Sequence, residues 1–395
     1  MESYTFEQNL ELCHFCEASQ QLMEREEHLF GEADTFKHHE EEASKLAADY
    51  MRLKDLVQQT VMQSLTGSTA EALTSAVKAI CQEDKRDELW KQRGHPWPVW
   101  RPCKWKELHI SALSSLVMER MDKPSPLPAV KEAVQSSLQV DVNSMGKQLK
   151  DDMLLVVEDV KSCYPPEMDI CNCYAKLYHK TFGTKLQRIT DFGLDDKDCC
   201  FLLRWVNEYY PLILQNQQLA TEIDMEALGG LLPAEILTLL EDQYLNTQQV
   251  ELETYIGRVL EETEEKWKKG EEPKKEDGCF ISTVAQDIVQ ITNGMVTSAE
   301  KVVLELDKAK RITSQLHVLM QRFSTFQDNV IKQDRANSKA IVKANLHCIN
   351  QFEDFLFKRS QLFPEPVQKK CLSILAHMRE SAHEYLLRNV HAFLL

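Results

Sequence analysis

Residues 299–330, AEKVVLELDKAKRITSQLHVLMQRFSTFQDNV, decide the fold class. Ala299, Val302, Leu306, Ala309, Thr313, Leu316, Met320, Phe323, Gln327 and Val330 recur there in alternating steps of three and four. Eight of these ten are apolar, as a helix seam packed in a bundle requires. A second stripe, Phe15, Leu22, Leu29, Phe36, Ala43, Tyr50 and Val57, repeats every seven residues, joined in its second half by Leu46, Leu53 and Val61. It predicts one long amphipathic helix with coiled-coil character, spanning roughly 65 Å over residues 15–57 at 1.5 Å per residue.

Composition agrees with helices. The 395 residues include only 12 Gly and 13 Pro, too few turn formers for a sandwich or barrel of short strands. Prolines cluster between long proline-free stretches, notably 1–95 and 274–363, which are permissive for long helices. Pro128 suits the start of a helix over Val130, Val134 and Leu138, and Pro233 the first position of another, with Glu235 near its positive end. No segment alternates with period two between hairpin turns, so the expectation is all-α. The length exceeds what one core supports, so several modules are expected: an acidic coiled-coil-like helix at 1–84, a Trp/Pro/basic connector and helix at 85–128, and helical bundles at 129–272 and 273–395.

Charge narrows the partners. The formal net charge is −16; residues 1–84 hold 6 basic against 17 acidic side chains, whereas 85–106 hold 7 against 2. An acidic body disfavours general nucleic-acid binding, which needs a basic stripe to displace counterions. Apolar runs such as Met153–Val157 fall far short of the roughly 18 residues of a membrane span, and Met1 is followed by Glu2, Glu7 and Glu11 rather than a basic, then apolar leader. The location expected is the cytosol or a cytosolic membrane face. The 12 cysteines are scattered among helical patterns and read as reduced, packed thiols. Cys13 and Cys16 have zinc-ligand spacing, but His28, His38 and His39 follow at the wrong distances, so no metal is expected. Phosphate-binding glycine loops, G-x-S-x-G and H-E-x-x-H are absent. No catalytic residue, enzyme activity or cofactor is assigned.

Two basic segments are candidate contact sites. The first, Trp90 to Lys106, holds four of the six tryptophans. Arg93, Trp97, Trp100, Arg101, Lys104, Trp105 and Lys106 would suit an anionic lipid surface, because indoles settle at headgroup level and cations beside them attract phosphate. The competing and simpler reading is a proline-stiffened connection whose indoles pack back between helices. The second is the basic helical stretch with Lys301, Lys308, Arg311 and Arg322, candidates for an acidic partner, against the plainer reading of a solvated bundle face. Residues 266–278 read as an exposed mixed-charge loop.

A series of patches resembles the exocyst complex component 3 family: Pro98-Val-Trp-Arg-Pro-Cys-Lys-Trp105, Val117-Met-Glu-Arg120, Leu202-Leu-Arg-Trp-Val-Asn-Glu-Tyr-Tyr210, Leu231-Leu-Pro233, Leu240-Glu-Asp-Gln-Tyr-Leu245 and Glu261 to Trp267. Val302 to Phe326 and Asn345 to Phe355 continue the order. The sequence is similar above all to the tumour-necrosis-factor-alpha-induced protein 2 (M-Sec) and exocyst component 3-like branch. The resemblance implies an elongated rod of stacked helical bundles that tethers vesicles in exocytosis. Its implied partners are other exocyst subunits, SNARE proteins, a Ral-type small GTPase and phosphoinositide-containing membrane. The alternative it implies is a lipid-binding, self-associating scaffold, acting through residues 15–65, that promotes actin-rich protrusions such as tunnelling nanotubes without the exocyst. Family chains continue for a further helical region, whereas this sequence stops at Leu394-Leu395, so contacts made there, small-GTPase binding among them, are not carried over. The M-Sec branch also carries a basic N-terminal stretch, where residues 1–84 here are acidic.

Overall fold

The computed structural model describes residues 4–31, 40–94, 97–128 and 134–392. The chain begins with α1 (Phe6–Glu11), α2 (Phe15–Phe30), α3 (Glu40–Met62), α4 (Ala70–Arg93), α5 (Trp105–Asp122), α6 (Ser137–Leu155) and α7 (Ile170–Asp191). After α8 (Asp196–Arg204) come the short α9 (Tyr210–Leu214), α10 (Gln217–Ala220) and α11 (Met225–Leu228), then α12 (Ala234–Lys268). A hairpin of β1 (Lys274–Glu276) and β2 (Cys279–Ile281) leads to α13 (Val284–Val303), α14 (Leu306–Ala309), α15 (Leu316–Gln333), α16 (Ser338–Lys358) and α17 (Glu365–Ala392). The all-α class is as expected. Starts follow capping chemistry: Thr5 and Gln8 form a capping box on α1, and Thr69, Ser136 and Asp195 accept from the first free N–H groups of α4, α6 and α8. Ser136 thus sets the start of α6, after Val134, while Val130 of the helix expected from Pro128 lies outside the described residues; Pro233 stands one residue before α12 rather than at its first position.

Two compact units result, one of residues 1–193 and 209–233, the other of 194–208 and 234–395. These cuts differ from the expected boundaries at 84, 128 and 272, and the reason is burial. Residue 84 lies inside α4, against which α2 packs, and α12, which ends at Lys268 just before 272, packs on α13. The expected boundaries at 84 and 272 thus separate helices that pack on each other.

In the first unit, α2, α3, α4 and α5 pack on one another. The expected single helix over 15–57 is instead two, because the chain leaves α2 at Gly31 and α3 returns alongside it. Arg25 meets Asp49 at 2.6 Å, although a continuous helix would hold them roughly 36 Å apart. The seven-residue stripe is nevertheless real: Phe15, Leu22, Leu29, Leu46, Tyr50, Leu53, Val57 and Val61 are all buried, Ala43 is half-buried, and Phe36 lies outside the described residues. It seals an intramolecular bundle. Further along, Asp152 draws Arg120 Nε (3.0 Å), Gln148 Nε2 (2.9 Å) and the Tyr178 hydroxyl onto one carboxylate, tying α5, α6 and α7 together.

In the second unit the seam read at 299–330 is buried at nine of its ten positions, with Leu306 half-buried. Its two polar members are satisfied: Thr313 Oγ1 donates to Leu362 O (3.1 Å), and Gln327 donates to Met378 O (2.8 Å) while accepting from Asn345 (3.2 Å). The backbone is broken, however, at Leu304, which takes a left-handed conformation with φ 61°. No glycine or proline marks this break. Leu304→Gly is expected to leave the unit as stable or raise its stability by about 1 kcal/mol, because glycine adopts this φ without a Cβ clash and the replaced side chain is 62% exposed. In an unbroken helix the same change would cost about 1 kcal/mol. The denaturant midpoint of the second unit distinguishes the two.

The hairpin corrects the loop expected at 266–278. Asp277 (φ 46°) and Gly278 (φ 82°) form the two-residue turn that matches strand twist, pairing Lys275 with Phe280. With only three residues per strand, its alternation was too short to read.

Candidate functional site

The Trp-rich segment forms a strap, residues 97–104, between α4 and α5, and one carboxylate from α2 holds it. Glu26 is fully buried and accepts five hydrogen bonds: Arg86 Nε (2.8 Å), Trp90 Nε1 (2.9 Å), Trp100 Nε1 (2.7 Å), Arg101 Nε (2.8 Å) and Arg101 Nη2 (3.2 Å). Burial by itself would raise its pKa, but the Arg101 and Arg86 guanidinium groups and Trp90 outweigh this and hold it below the usual carboxylate range. Asp87 accepts Arg101 Nη1 (2.8 Å) and the strap's backbone N–H groups at Cys103 and Lys104, each at 2.9 Å. Glu83 lies 2.8 Å from Arg101 Nη1, and Tyr50 Oη 3.2 Å from Nη2. Trp100 stacks on Tyr50 and meets Phe30 edge-on, with ring centroids 5.4 and 5.5 Å apart.

The lipid candidates therefore do not share one exposed face. Arg101 is 0% exposed at its side chain, and Trp105, opening α5, is buried. Trp97 and Trp100 are half-buried. Arg93 is exposed but bonds Glu27 at 2.9 Å and lies over the Trp90 ring; Lys104 and Lys106 are exposed beside Glu107 (3.7 Å) and Asp84 (2.7 Å). The packed connection describes most of this segment. What projects is Val99, 97% exposed at the strap's turn.

The basic stretch is likewise engaged within its unit. Lys308 bonds Glu241 (2.9 Å), Arg311 bonds Asp242 (2.6 Å) and Asn246 (2.8 Å), and Arg322 lies within 3.7 Å of Glu261 and 3.5 Å of Glu264. These acids form a row on α12, whereas Lys301 on α13 is exposed. Among the described residues no group of three or more His, Cys, Asp or Glu is placed to hold a metal, and Cys16 instead accepts from Gln82. No described helix is long and apolar enough to cross a membrane.

Sequence reasoning missed Glu26 and Glu83. Their signal is a carboxylate on an apolar stripe: Glu26 falls between Leu22 and Leu29, and Glu83 follows Ala76 and Ile80 at the same spacing. A charge in such a place calls for a buried partner, which Arg101 supplies.

Arg101 lies in one of the patches that resembled the exocyst family, and comparison with known proteins covers nearly the whole fold. The family profile described as "Exocyst complex component Sec6" matches residues 43–386. The chain belongs to the Sec6 family of exocyst complex components. This is a family of non-enzymatic scaffolds. The Sec6-family chain is 27% identical over 357 residues to human tumor necrosis factor alpha-induced protein 2, covering 88% of this chain and 53% of that protein. It is 23% identical over 234 residues to Drosophila melanogaster exocyst complex component 3, covering 58% and 31%. It thus spans about half the length, or less, of these relatives. The crystal structure of M-Sec matches all of this chain and 70% of its own, with a TM-score of 0.77 at 24% identity, which shows that the fold is shared.

Proposed function

We propose that this Sec6-family chain acts as an exocyst-subunit-like scaffold in vesicle tethering and docking at the plasma membrane. The observation that carries this reading is the family match over 43–386, which runs continuously through both compact units rather than through one shared module. Other exocyst subunits are the primary partners in this reading. SNARE proteins, a Ral-type GTPase and phosphoinositide-containing membrane are secondary ones, with Lys301 the basic candidate left outside the α12 acid row. Affinity purification of the chain from its own cells, with quantitative mass spectrometry, tests the proposal. Several exocyst subunits recovered at near-equal ratios support it; none above background, with the bait well recovered, overturns it.

The 27% identity to tumor necrosis factor alpha-induced protein 2 favours a second reading, a lipid-binding scaffold of actin-rich protrusions. The described members of the seven-residue stripe, Ala43 apart, are buried inside the first unit, so this reading draws on Val99, Trp97, Trp100 and Lys104 at the strap and Lys106 on α5. Lys104→Glu with Lys106→Glu is then expected to reduce cosedimentation with phosphatidylserine-containing vesicles at least tenfold while leaving the fold intact. Undiminished binding removes the strap from any lipid contact. Arg101 stays unchanged in this test because it is structural.

A further inference from the structure

Three carboxylates converge on the Arg101 guanidinium, and they are not equivalent. Glu26 and Asp87 each accept aligned donors on both oxygens. Glu83 does not. Its Oε1 lies 2.7 Å from Ser19 Oγ, but Oε2 receives no aligned hydrogen bond, although Arg101 Nη1 is 2.8 Å away. The same Nη1 donates to Asp87. Charge balance singles out the same residue. Glu26, Asp87 and Glu27 are matched by Arg101, Arg86 and Arg93, so an ionised Glu83 adds a negative charge without a cation of its own. Its side chain is 0% exposed, and an uncompensated buried charge is costly.

We infer that Glu83 is a proton-binding site of the folded chain, held as the neutral acid while Ser19 Oγ donates to its Oε1, and that the clasp on the strap is tightest in this form. Every packed element contributes to this setting. Helix α2 brings Ser19 and Glu26, α3 brings Tyr50, α4 brings Asp87, and the strap brings Arg101 and Cys103. Tyr50 and Cys103 are pushed up, chiefly by burial, and stay neutral, which leaves Arg101 as the facing cation. Burial, helped by Glu26, drives Glu83 up to about 7 against the pull of Arg101 and Ser19. The proton comes from solvent and returns to it.

A carboxyl raised in the folded state contributes stability that is complete below its unfolded value near 4.5 and is lost as pH rises through about 7. His109 and His179, both lowered by burial, act with the opposite sign on the acid side, so wild type must be compared with Glu83→Gln. For the full chain, the ratio of the first unit's unfolding constants, wild type over Glu83→Gln, is expected to rise about tenfold between pH 6 and pH 8. A ratio that stays flat overturns the inference. Should Glu83→Gln fail to fold, carbon-13 NMR of the glutamate carboxyls in the wild-type chain decides. One glutamate titrating near neutrality supports the site; all titrating in the ordinary carboxylate range overturns it. Amide exchange of residues 97–104 in wild type, corrected for intrinsic rate, tests the clasp. It should quicken from pH 6 to pH 8 in step with that titration, and identical protection at the two pH values shows that the proton does not govern the strap.

Discussion

Replacing Arg101 with Met is expected to destabilise the first unit by about 3–5 kcal/mol, the usual cost of removing one partner from a buried ion cluster. Glu26, Glu83 and Asp87 would lose the guanidinium they share, and Trp100 would lose the neighbour that keeps its indole on Glu26. Arg101→Lys should recover only part of the loss, because one ammonium cannot present the fork of donors that reaches Glu26, Asp87 and Tyr50 together. Four of the six tryptophans lie at 90–105, so the urea transition of tryptophan fluorescence reports chiefly on this region. Lys104→Met is the comparison: it alters an exposed cation three residues away and should shift stability by no more than about 0.5 kcal/mol. Equal midpoints for Arg101→Met and Lys104→Met would mean that the clasp contributes nothing.

Phe323→Ala should cost the second unit a similar amount, about 3–5 kcal/mol, by a different mechanism. The ring is 1% exposed and packs against Phe326 and Phe352, with centroids 6.4 and 6.0 Å away. Truncation removes apolar burial and leaves a cavity that rings held on two separate helices cannot readily close. Phe357→Ala, at a 64% exposed position on the same α16 that carries Phe352, should change stability by less than about 0.5 kcal/mol. Amide exchange in α15, α16 and α17 reads both variants without interference from the first unit.

Periodicity made the helices and their buried faces legible. It identified which side chains of 299–330 face inward, including Thr313 and Gln327, because a helical face is set by spacing alone. It could not locate the break at Leu304 or the return after Gly31, since the same spacing suits one helix or two that keep a common face inward. Leu304 carries no turn chemistry in its side chain, and Gly31 is a single weak mark within an otherwise unbroken pattern. The candidate site was half legible. Tryptophan and arginine density drew attention to residues 90–106, but the acceptors that turn Arg101 inward come from α2, 75 residues upstream, and from the preceding helix α4, and only the place of Glu26 and Glu83 on apolar stripes pointed to them. The basic stretch at 301–322 was misleading for the same reason: composition counts charges, whereas the α12 carboxylates that neutralise Lys308, Arg311 and Arg322 lie some 60 to 70 residues upstream.

The central structural claim is that the acidic N-terminal segment folds back into a clasped bundle instead of extending as a coiled coil. Spin labels at the exposed positions Gln20 on α2 and Asp55 on α3, introduced as unnatural amino acids so that the native thiols do not react, measure this directly. Helices packed side by side at an interaxial distance of about 8–10 Å place such labels within about 30 Å. A single helix through both positions would separate them by roughly 52 Å. The short distance is predicted; the long one, or a broad distribution centred on it, would contradict the account.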